Sequence, residues 1–517
     1  MKPETRCRDD RGRQRLAPNT IWKRMMPKMS EPSVSGVPVP HPNDVLLGGD
    51  WVRAQGGLRD VPSPSTEESI ATVGLPSIEQ ATEAVRLAAE IGMQSWATLP
   101  VADRVSYVSR FCDLLESRHS ELGVLWAAES GMSLRHARVM HSHAARTAWR
   151  SSLAIAEATL ADEVRQGVPG KVIVRHEPAG VVVGIIPYNG PVVSIGTKIV
   201  PALLAGCPVI VKGSSDSQLV MRMVSECAAE AGFPRGAISI LCGSPTVARV
   251  LTSDPRVDLV SFTGGEAAAK DVINATHDRF ARTHLELGGK SAALVLPDAE
   301  FDQVVKVLRL GSGAGAGQIC ALLSRVLVPR ERFEEFAEKM STVWDGFRIG
   351  DPLDPDTTIG PLLNKAAYDR TLQFLQTALA EGGRVVAGGR RPEGFDKGWY
   401  FTPTLMVDVR RDSTLAQEEV FGPIVALLPY DGIEDGISLA NDSRFGLSGA
   451  VFTEDVELGI EVAARIRTGA VGVNMFGPDM TAPWGGVKES GWGREGGLEG
   501  LLEFTEVKQI ALGPTSH

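Results

Sequence analysis

The spacing of apolar residues predicts a helical first part of the chain, followed by regions in which strands alternate with helices. Apolar positions recur three and four residues apart in SIEQATEAVRLAAEIGMQSWA (77–97) and ADRVSYVSRFCDLLESRHSELG (102–123), which predicts amphipathic helices. Over 180–276, short apolar runs such as VVVGIIP, CPVIVKG and VDLVSFTGG alternate with helical segments. This alternation predicts βαβ units in a parallel, doubly wound sheet, whose ligands bind at the carboxyl ends of the strands.

A second alternating region extends from SAALVLPD (291–298) to about residue 475, with CALLSRVLVP (320–329) as a strand-like run. GKVIVRHEP (170–178) is also β-rich, and LLEFTEVKQIALG (501–513) predicts an isolated strand with no partner nearby in sequence. Pairing with another subunit would satisfy the backbone of that strand, so we expect an oligomer; a surface edge strand is the alternative.

Composition and charge are those of an ordinary globular protein. The 517 residues are 43% hydrophobic and 22% charged, and the net charge of −10 argues against a nucleic-acid surface. The six cysteines are scattered, without a CxxC pair or a His/Cys cluster, so we expect no metal site. Free thiols suit a reducing compartment, which predicts a cytoplasmic location.

Two segments need separate interpretation. Residues 1–44 are basic at first and then rich in Pro and Ser, which predicts a disordered extension. PAGVVVGIIPYNGPVVSIGT (178–197) carries no charge, but three prolines and four glycines interrupt any continuous helix. This stretch therefore predicts a strand, a turn and a helix rather than a membrane span, and we expect no membrane segment.

Cys320, in GAGQICALLSRVLV (315–328), is a candidate nucleophile. A buried cysteine is usually an inert apolar residue, so a nucleophile needs a base, an oxyanion donor and an environment that makes it partly thiolate near neutral pH. Glu286 in LELGGKS lies between two leucines, where partial burial would make it a general base; a solvated carboxylate is the alternative. Asn189 in GIIPYNGP follows a strand, as an oxyanion donor or a turn residue.

Other strand ends predict a dinucleotide site. Lys212 ends VIVKG, where it can meet a ribose, and SFTGGEAAAK puts two glycines between a strand and a helix. Two apparent phosphate motifs fail their context. GSGAGA (311–316) follows the helix-like VVKVLRL rather than a strand, and ELGGKS lacks the required Gly at position 284, which is His284.

Together these segments resemble the aldehyde dehydrogenase superfamily over about residues 45–513. Seven matching segments occur in the family's order: IIPYNGP, VIVK, FTGG, LELGGKS, GQIC, EEVFGP (418–423) and PWGGVKESGWGREGG (483–497). The resemblance implies an α/β fold with a Rossmann-type parallel-sheet cofactor domain, an α/β catalytic domain and a small β oligomerisation element. It implies the bounds 45–155 and 178–288 for the cofactor domain, 289–497 for the catalytic domain, and 156–177 with 498–517 for the oligomerisation element.

The resemblance also implies the chemistry: NAD(P)-dependent oxidation of a small-molecule aldehyde to the acid, through a thiohemiacetal and a thioester, with water as final acceptor. Cys320 matches the nucleophile, Glu286 the general base and Asn189 the oxyanion donor. The implied contacts to NAD are Ile186, Pro187, Tyr188, Lys212, Ser214, Ser215, Gly264, Gly265, Glu419 and Phe421. A homodimer or homotetramer is implied, and the closing segment, with Lys488, Gly491, Arg494 and Glu495, is taken as mainly structural.

Several positions depart from the family's pattern. Gly315 stands where the family often has Asn, Trp484 where Phe is more usual, and Gly190 after Asn189 predicts a roomier pocket. Ser215 occupies the position where many members carry a Glu that repels a 2′-phosphate, with the carboxylate one residue later at Asp216. NAD is therefore favoured, and NADP stays open.

Three other functions compete with this one. An acylating dehydrogenase would transfer the thioester to coenzyme A, and its family members commonly lack the base, so Glu286 favours hydrolysis. A silent structural protein on the same fold would have lost Cys or Glu at the key positions. A cysteine hydrolase would not explain EEVFGP or FTGG. Few positive charges lie near the expected pocket, which favours an uncharged, fairly apolar aldehyde.

Overall fold

The structure, a computed structural model, describes residues 32–168 and 170–513. The strands Ser33–Val34 and Val37–Pro38 pair as a small antiparallel hairpin. Val34 and Val39 are buried in the core that includes the helix His119–Ser130. The disorder predicted for residues 32–44 is therefore wrong, because the two valines bury apolar surface against a distant helix. The rest of the predicted extension, residues 1–31, lies outside the described residues.

An eight-stranded sheet forms the first half of the fold. Across the sheet, its strands are Gly491–Trp492, Arg282–Glu286, Leu259–Thr263, Val182–Ile185, Val209–Gly213, Ile238–Cys242, Asp44–Leu47 and Asp50–Arg53. The strands between Arg282–Glu286 and Ile238–Cys242 are parallel, and the outer ones are antiparallel. Val182–Ile185 is the first of the parallel strands in the sequence, and the parallel strands that follow it in the sequence lie on both of its sides. The order therefore reverses there, which creates a crevice at the carboxyl ends.

Helices cover both faces of this sheet, which confirms the predicted doubly wound, Rossmann-type architecture. The α-helices of this half are Ile78–Leu87, Met93–Ser95, Val101–Ser117, His119–Ser130, Leu134–Val139, Arg146–Thr159, Pro191–Ser194, Val200–Ala205, Gln218–Ala231, Pro245–Ser253 and Glu266–Thr276. The π-helical segments Ala88–Gly92, Met140–Ala145 and Ile195–Ile199 connect neighbouring helices, and His277–Arg279 is a 3-10 turn. Residues 178–197 form strands, a loop and the start of a helix, as predicted. Within 32–168 and 170–513, no helix is long and apolar enough to cross a membrane.

A seven-stranded sheet forms the second half. Its strands, in order across the sheet, are Arg384–Ala387, Thr404–Val407, Ile424–Tyr430, Arg325–Pro329, Ala292–Val295, Ser448–Phe452 and Ala470–Val473. All neighbours are parallel except the first pair. The helices around it are Phe301–Gly311, Phe333–Asp345, Lys365–Ala380, Thr414–Gln417, Gly432–Asn441 and Val456–Ala463, with 3-10 turns at Ala314–Gly317 and Arg330–Arg332. The 3-10 turn Lys488–Ser490 and the helix Gly497–Leu502 follow in the chain, and this helix packs on Arg146–Thr159 and Val200–Ala205 of the first half. Two apolar cores, one on each face, stabilise the seven-stranded sheet.

The remaining strands form two small antiparallel sheets. Leu58–Pro62 pairs with Ser69–Gly74. The strand Thr505–Ala511 pairs with Lys171–Pro178, which also pairs with Glu163–Gln166. The interpretation of the terminal strand as isolated is therefore wrong, because its partner in the same chain is distant in sequence. Thr505–Ala511 is an edge strand, which agrees with the alternative.

Candidate active site

The loop that carries Cys320 connects the helix Phe301–Gly311 to the strand Arg325–Pro329. GSGAGA therefore follows a helix rather than a strand, which agrees with the conclusion that it is not a dinucleotide-binding motif. Gly315 has a φ of +58°, a left-handed conformation that Gly and Asn both tolerate, which explains Gly where the family often has Asn. A Cβ on Gly317 would lie 2.0 Å from the carbonyl oxygen of Gly422, so the loop packs directly on the segment after Phe421.

Gln318 connects this loop to the segment that follows the strand Val182–Ile185, which lies in the middle of the parallel strands. The Asn189 Nδ2 donates to the Gln318 backbone carbonyl at 2.9 Å, and the Tyr188 hydroxyl donates to Gln318 Oε1 at 3.1 Å. The backbone N–H of Leu363 donates to the same Oε1 at 3.0 Å, and Gln318 is fully buried. The amide of Asn189 has a second N–H that is available to a ligand. Sequence reasoning missed Gln318, whose position two residues before Cys320 was its only signal.

Glu286 ends the strand Arg282–Glu286 and is only 4% exposed. Burial and the neighbouring charge of Glu495 raise its pKa well above the ordinary range, while Lys198 and Arg494 act in the opposite direction. Glu286 is therefore not the solvated carboxylate of the alternative interpretation. A carboxyl group with a raised pKa can take up a proton near neutral pH, as a general base does.

Among the described residues, no cation lies beside the Cys320 thiol that would stabilise a thiolate. Burial raises its pKa to about 12, and the negative charges of Glu419, Glu286 and Glu495 act in the same direction. The expectation of a partly ionised thiol near neutral pH is therefore wrong for the free protein. The carboxylates responsible come from three separate segments, which is why the sequence around Cys320 does not reveal them.

The strand ends around the crevice carry the candidate cofactor residues. Ile186, which precedes Pro187, donates its N–H to the carbonyl of Lys212 at 3.1 Å. Lys212 is buried at the end of its strand and forms no ion pair among the described residues. The loop residue Ser214 accepts from the Asp216 N–H at 3.2 Å, with Ser215 between them, and Asp216 pairs with Arg59 at 2.7 Å.

The turn at Gly264 and Gly265 leads from the strand Leu259–Thr263 into the helix Glu266–Thr276. The N–H of Gly264 donates to the Glu286 carbonyl at 3.1 Å, which brings the turn beside that candidate base. A Cβ on Gly265 would meet no atom within 4 Å, so the helix N-terminus faces open space. A turn of this kind, with a free approach to its backbone, fits the phosphates of a dinucleotide.

Glu419 and Phe421 close the crevice from the second sheet. Glu419 Oε1 accepts from the Gly289 N–H at 3.0 Å, and a Cβ on Gly288 would lie 2.2 Å from Glu419 Oε2. The two glycines of LELGGKS therefore make room for this carboxylate. Phe421 has a φ of +53°, a strained conformation for an aromatic residue, and its ring lies edge-on to Tyr188 at 6.4 Å. Gly289, Cys320, Glu419 and Phe421 line one pocket.

The structure thus gathers the predicted residues along one carboxyl edge, but in two groups. Cys320, Glu419 and Phe421 line the pocket, Asn189 is hydrogen-bonded to the loop of Cys320, and Glu286 is near enough for its charge to act on the thiol. Lys212, Ser214 and Ser215 lie further along the edge and form no hydrogen bond with the three catalytic candidates among the described residues. Residues 32–168 and 170–513 contain no cluster of three His, Cys, Asp or Glu suited to a metal ion.

A buried ion pair near Glu286 was not predicted. Lys198 Nζ lies 2.8 Å from Glu495 Oε1, and both side chains are buried. The family resemblance implies a mainly structural role for Glu495, yet its charge raises the pKa of Glu286. Lys198 comes from a helix after Asn189, and its position gave no signal in the sequence.

Comparisons with known proteins agree with this geometry. A model of the aldehyde dehydrogenase family matches residues 51–510. Geranial dehydrogenase of Castellaniella defragrans is 36% identical over 472 residues, which are 90% of this chain and 98% of that protein. Betaine aldehyde dehydrogenase of Cereibacter sphaeroides is 34% identical over 453 residues, 87% of this chain and 92% of that protein. The crystal structure of Mycobacterium tuberculosis aldehyde dehydrogenase complexed with NAD+ has a TM-score of 0.89 at 35% identity, covering 92% of this chain and 99% of that one.

The chain therefore belongs to the aldehyde dehydrogenase family. Its activity is the NAD(P)-dependent oxidation of an aldehyde, and the resemblance found in the motifs is confirmed.

Proposed function

We propose that Cys320, Asn189 and Glu286 oxidise an aldehyde to its carboxylic acid, with NAD as cofactor and water as final acceptor. The hydrogen bond from Asn189 to Gln318 supports this most directly, since it holds an amide donor beside the loop of Cys320. Glu286 ends another strand of the sheet that carries Asn189, and it is a buried carboxyl group that can accept a proton. This supports hydrolysis of the thioester rather than transfer of its acyl group to coenzyme A.

The first step is addition of the Cys320 sulfur to the aldehyde carbonyl. Because the thiol is mostly protonated in the free protein, its proton must leave as the bond forms, and Glu286 is the carboxylate proposed to receive it. The developing oxyanion accepts hydrogen bonds from the second N–H of Asn189 and from the backbone N–H of Cys320. Both donors are fixed before the substrate arrives, because the Cys320 loop is tied to Asn189 through Gln318.

The cofactor, when bound, supplies the acceptor for the hydride that leaves the thiohemiacetal. Lys212 with Ser214 and Ser215 would hold the adenosine ribose, and Gly264 and Gly265 the diphosphate. Ile186, Pro187, Tyr188, Glu419 and Phe421 would position the nicotinamide end. NAD+ is bound by the related Mycobacterium tuberculosis enzyme, which supports NAD here. NADP is the alternative, since no carboxylate stands at Ser215 and Arg59 pairs with Asp216.

Glu286 acts again in the second step. After the proton taken from Cys320 has passed to solvent, the Glu286 carboxylate takes a proton from water, which attacks the thioester on Cys320. The acid is released, and Glu286 returns this proton to the leaving sulfur. The bound aldehyde is proposed to be uncharged and fairly apolar. Trp484, Ala321 and Leu447 form an apolar cluster beside Cys320, and a Cβ on Gly190 would meet nothing within 4 Å. The relative named geranial dehydrogenase agrees with this preference.

We extend the proposal to the domains and the assembly. The first sheet with its helices (45–155 and 178–288) is the proposed cofactor domain, and 289–497 the catalytic domain. Residues 156–177 and 498–517 are the proposed oligomerisation element of a homodimer or homotetramer, supported by the free edge of the strand Thr505–Ala511. A cytoplasmic location is supported by free thiols: Cys112, Cys207, Cys227, Cys242 and Cys320 form no disulfide.

The test is an aldehyde panel with NAD+ and with NADP+, followed by the absorbance of the reduced nicotinamide. We expect oxidation of apolar aldehydes to the free acid, with no thioester product when coenzyme A is added. Cys320→Ser is the control, because an alcohol ionises far less readily than a thiol. This variant should lose several orders of magnitude in turnover but still bind cofactor, measured by calorimetry. Near-normal turnover in Cys320→Ser would refute the assignment.

A further inference from the structure

His284 and Glu286 lie on the same face of one strand. They are two residues apart in the strand Arg282–Glu286, and alternate side chains of a strand point to the same side. The parallel strand Leu259–Thr263 places Ser261 directly opposite His284. His284 is 1% exposed, and Ser261 is fully buried.

A row of polar side chains leads from Glu286 through His284 and Ser261 to Lys198. His284 Nε2 lies 3.5 Å from Glu286 Oε1, and His284 Nδ1 lies 3.3 Å from the Ser261 hydroxyl oxygen. Lys198 Nζ donates to that hydroxyl oxygen at 3.1 Å. The four side chains come from two strands and one helix.

The chemistry of these groups favours one set of hydrogen-bond directions. An ammonium group can only donate, so the Ser261 oxygen accepts from Lys198, and its own proton is then available to His284 Nδ1. His284 is neutral, because burial and the charges of Lys198, Arg494 and Arg282 lower its pKa well below the ordinary range. A neutral imidazole that accepts at Nδ1 carries its proton at Nε2. That proton faces the carboxyl group of Glu286.

Two further observations support a specific contact. Neither His284 Nε2 nor Glu286 Oε1 has any other hydrogen-bond partner among the described residues, although both are buried. Buried polar atoms without partners are costly, so a small approach of these two atoms is favourable. The space for the imidazole depends on Gly493, where a Cβ would lie 2.5 Å from His284 Cδ2.

We propose that His284 is a positioning residue for Glu286, to which it donates a hydrogen bond from Nε2. The bond stabilises the carboxylate form and holds Oε1, while Oε2 takes the proton of water; the backbone N–H of Gly486 also acts on this carboxyl group. Ser261 and Lys198 act behind it by fixing the tautomer. This inference rests on the proposed role of Glu286 as the base of thioester hydrolysis.

Other charged groups also face this pair, and none of them replaces the imidazole N–H. The ionisable neighbours, from the same strand, the helix after Asn189 and the closing segment, are Arg282, Lys198, Arg494, Glu495 and Glu503. They are the same in the variants below, so a difference between the variants reports on position 284.

The experiment compares two neutral amides at this position. In His284→Asn the amide still reaches Ser261 but is too short to reach Glu286, whereas in His284→Gln the longer amide keeps a donor near the Nε2 position. The thioester on Cys320 is formed with excess aldehyde and NAD+, and its decay is followed by intact mass from pH 5 to 9. The NADH burst and the KM for aldehyde are measured alongside, and thermal unfolding checks the fold.

We expect the acid limb of thioester decay to move up by about one pH unit in His284→Asn, because loss of a donor raises the pKa of a carboxyl group. Below the limb, decay should slow about tenfold, since one pH unit is a tenfold change in the ionised fraction. His284→Gln should keep the wild-type limb, and the amplitude of the burst should be unchanged in both. His284→Leu, which lacks both hydrogen bonds, should repeat the shift if His284→Asn does not fold.

Identical pH profiles in the wild type and in the folded His284→Asn or His284→Leu variant would overturn the inference. An equal shift in His284→Gln and His284→Asn would also overturn it, because the donor would then be irrelevant. The proposed function fails in a different way: the wild-type protein would form no NADH with any aldehyde of the panel.

Discussion

Glu286 is the residue on which hydrolysis depends in the proposed mechanism. Replacing it with Gln keeps the size of the side chain but removes its ability to take up a proton. Loss of a general base should slow thioester hydrolysis by roughly 10²–10⁴-fold. Rapid mixing of Glu286→Gln with aldehyde and NAD+ should therefore give a burst of NADH near one per active site, followed by a very slow steady state. The burst should be slower than in the wild type, because Glu286 also receives the thiol proton, but acylation should suffer less than hydrolysis. The trapped thioester should appear as added mass on the protein.

The sign of the pH dependence follows from the same carboxyl group. Because burial and Glu495 raise the pKa of Glu286, wild-type thioester decay should rise with pH through a limb above the usual carboxyl range. In Glu286→Gln this limb should disappear. A variant that binds cofactor but gives neither burst nor adduct would remove Glu286 from deacylation and assign it to the first step alone.

Cys320 leads to a second prediction, on the free protein. Since its pKa is raised to about 12, the thiol should react slowly with iodoacetamide at pH 7. Below the pKa the thiolate fraction grows tenfold per unit, so the alkylation rate should rise about tenfold for each unit between pH 8 and 10. Mass spectrometry of the peptide that contains Cys320 measures this rate. Cys320→Ser is the control, and the other four described cysteines are buried. A plateau near neutral pH would contradict the raised pKa.

The packing of two loops decides where Cys320 lies relative to the cofactor side of the pocket. Gly317, with a φ of +76°, approaches the backbone of Gly422, and its missing Cβ is what allows this contact. Gly317→Ala should therefore push the cysteine loop away from the segment after Phe421. We expect loss of most aldehyde oxidation and a lower unfolding temperature, measured by steady-state kinetics and calorimetry.

Gly382→Ala is the matched control for that change. Gly382 also has a positive φ, +99°, but a Cβ there would meet nothing within 4 Å. It should cost about 1–2 kcal/mol for the left-handed conformation alone and leave the activity intact. If both variants kept activity and lost the same stability, the contact with Gly422 would have no role in placing the cysteine.

The proposed assembly of the whole molecule depends on the three-stranded sheet. Thr505–Ala511 is its edge strand, and Val507 on this strand is 65% exposed. We expect the full chain to sediment as a dimer or tetramer, because an exposed edge strand with apolar side chains favours pairing with another chain. Val507→Asp should shift the equilibrium to smaller species, since a buried charge in an interface is costly.

Val456→Asp provides the comparison for this variant. Val456, at the start of the helix Val456–Ala463, is 52% exposed and lies away from the three-stranded sheet. It should leave the sedimentation unchanged. An active, monomeric wild-type protein would contradict the proposed assembly, whatever the two variants do.

Local patterns were sufficient to predict both parallel sheets and most candidate site residues. A βαβ unit shows itself in the alternation of short apolar runs and helical periods, and the residues that follow a strand lie at its carboxyl end whatever surrounds them. Asn189, Lys212, Gly264 and Glu286 could be placed in this way. The hairpin at Ser33–Pro38 and the partner of Thr505–Ala511 could not, because each depends on contacts with segments far away in sequence.

The sequence by itself thus determined the class of fold and the residue types that the chemistry needs. Only the tertiary structure decided their electrostatic state. The pKa of Cys320 rises because the thiol is buried and because three carboxylates from different segments lie near it. His284 beside Glu286 is neutral because it is buried and because the charges of Lys198, Arg494 and Arg282 act on it. Charges act through space over several ångströms, so residues distant in the chain control groups that no local pattern connects.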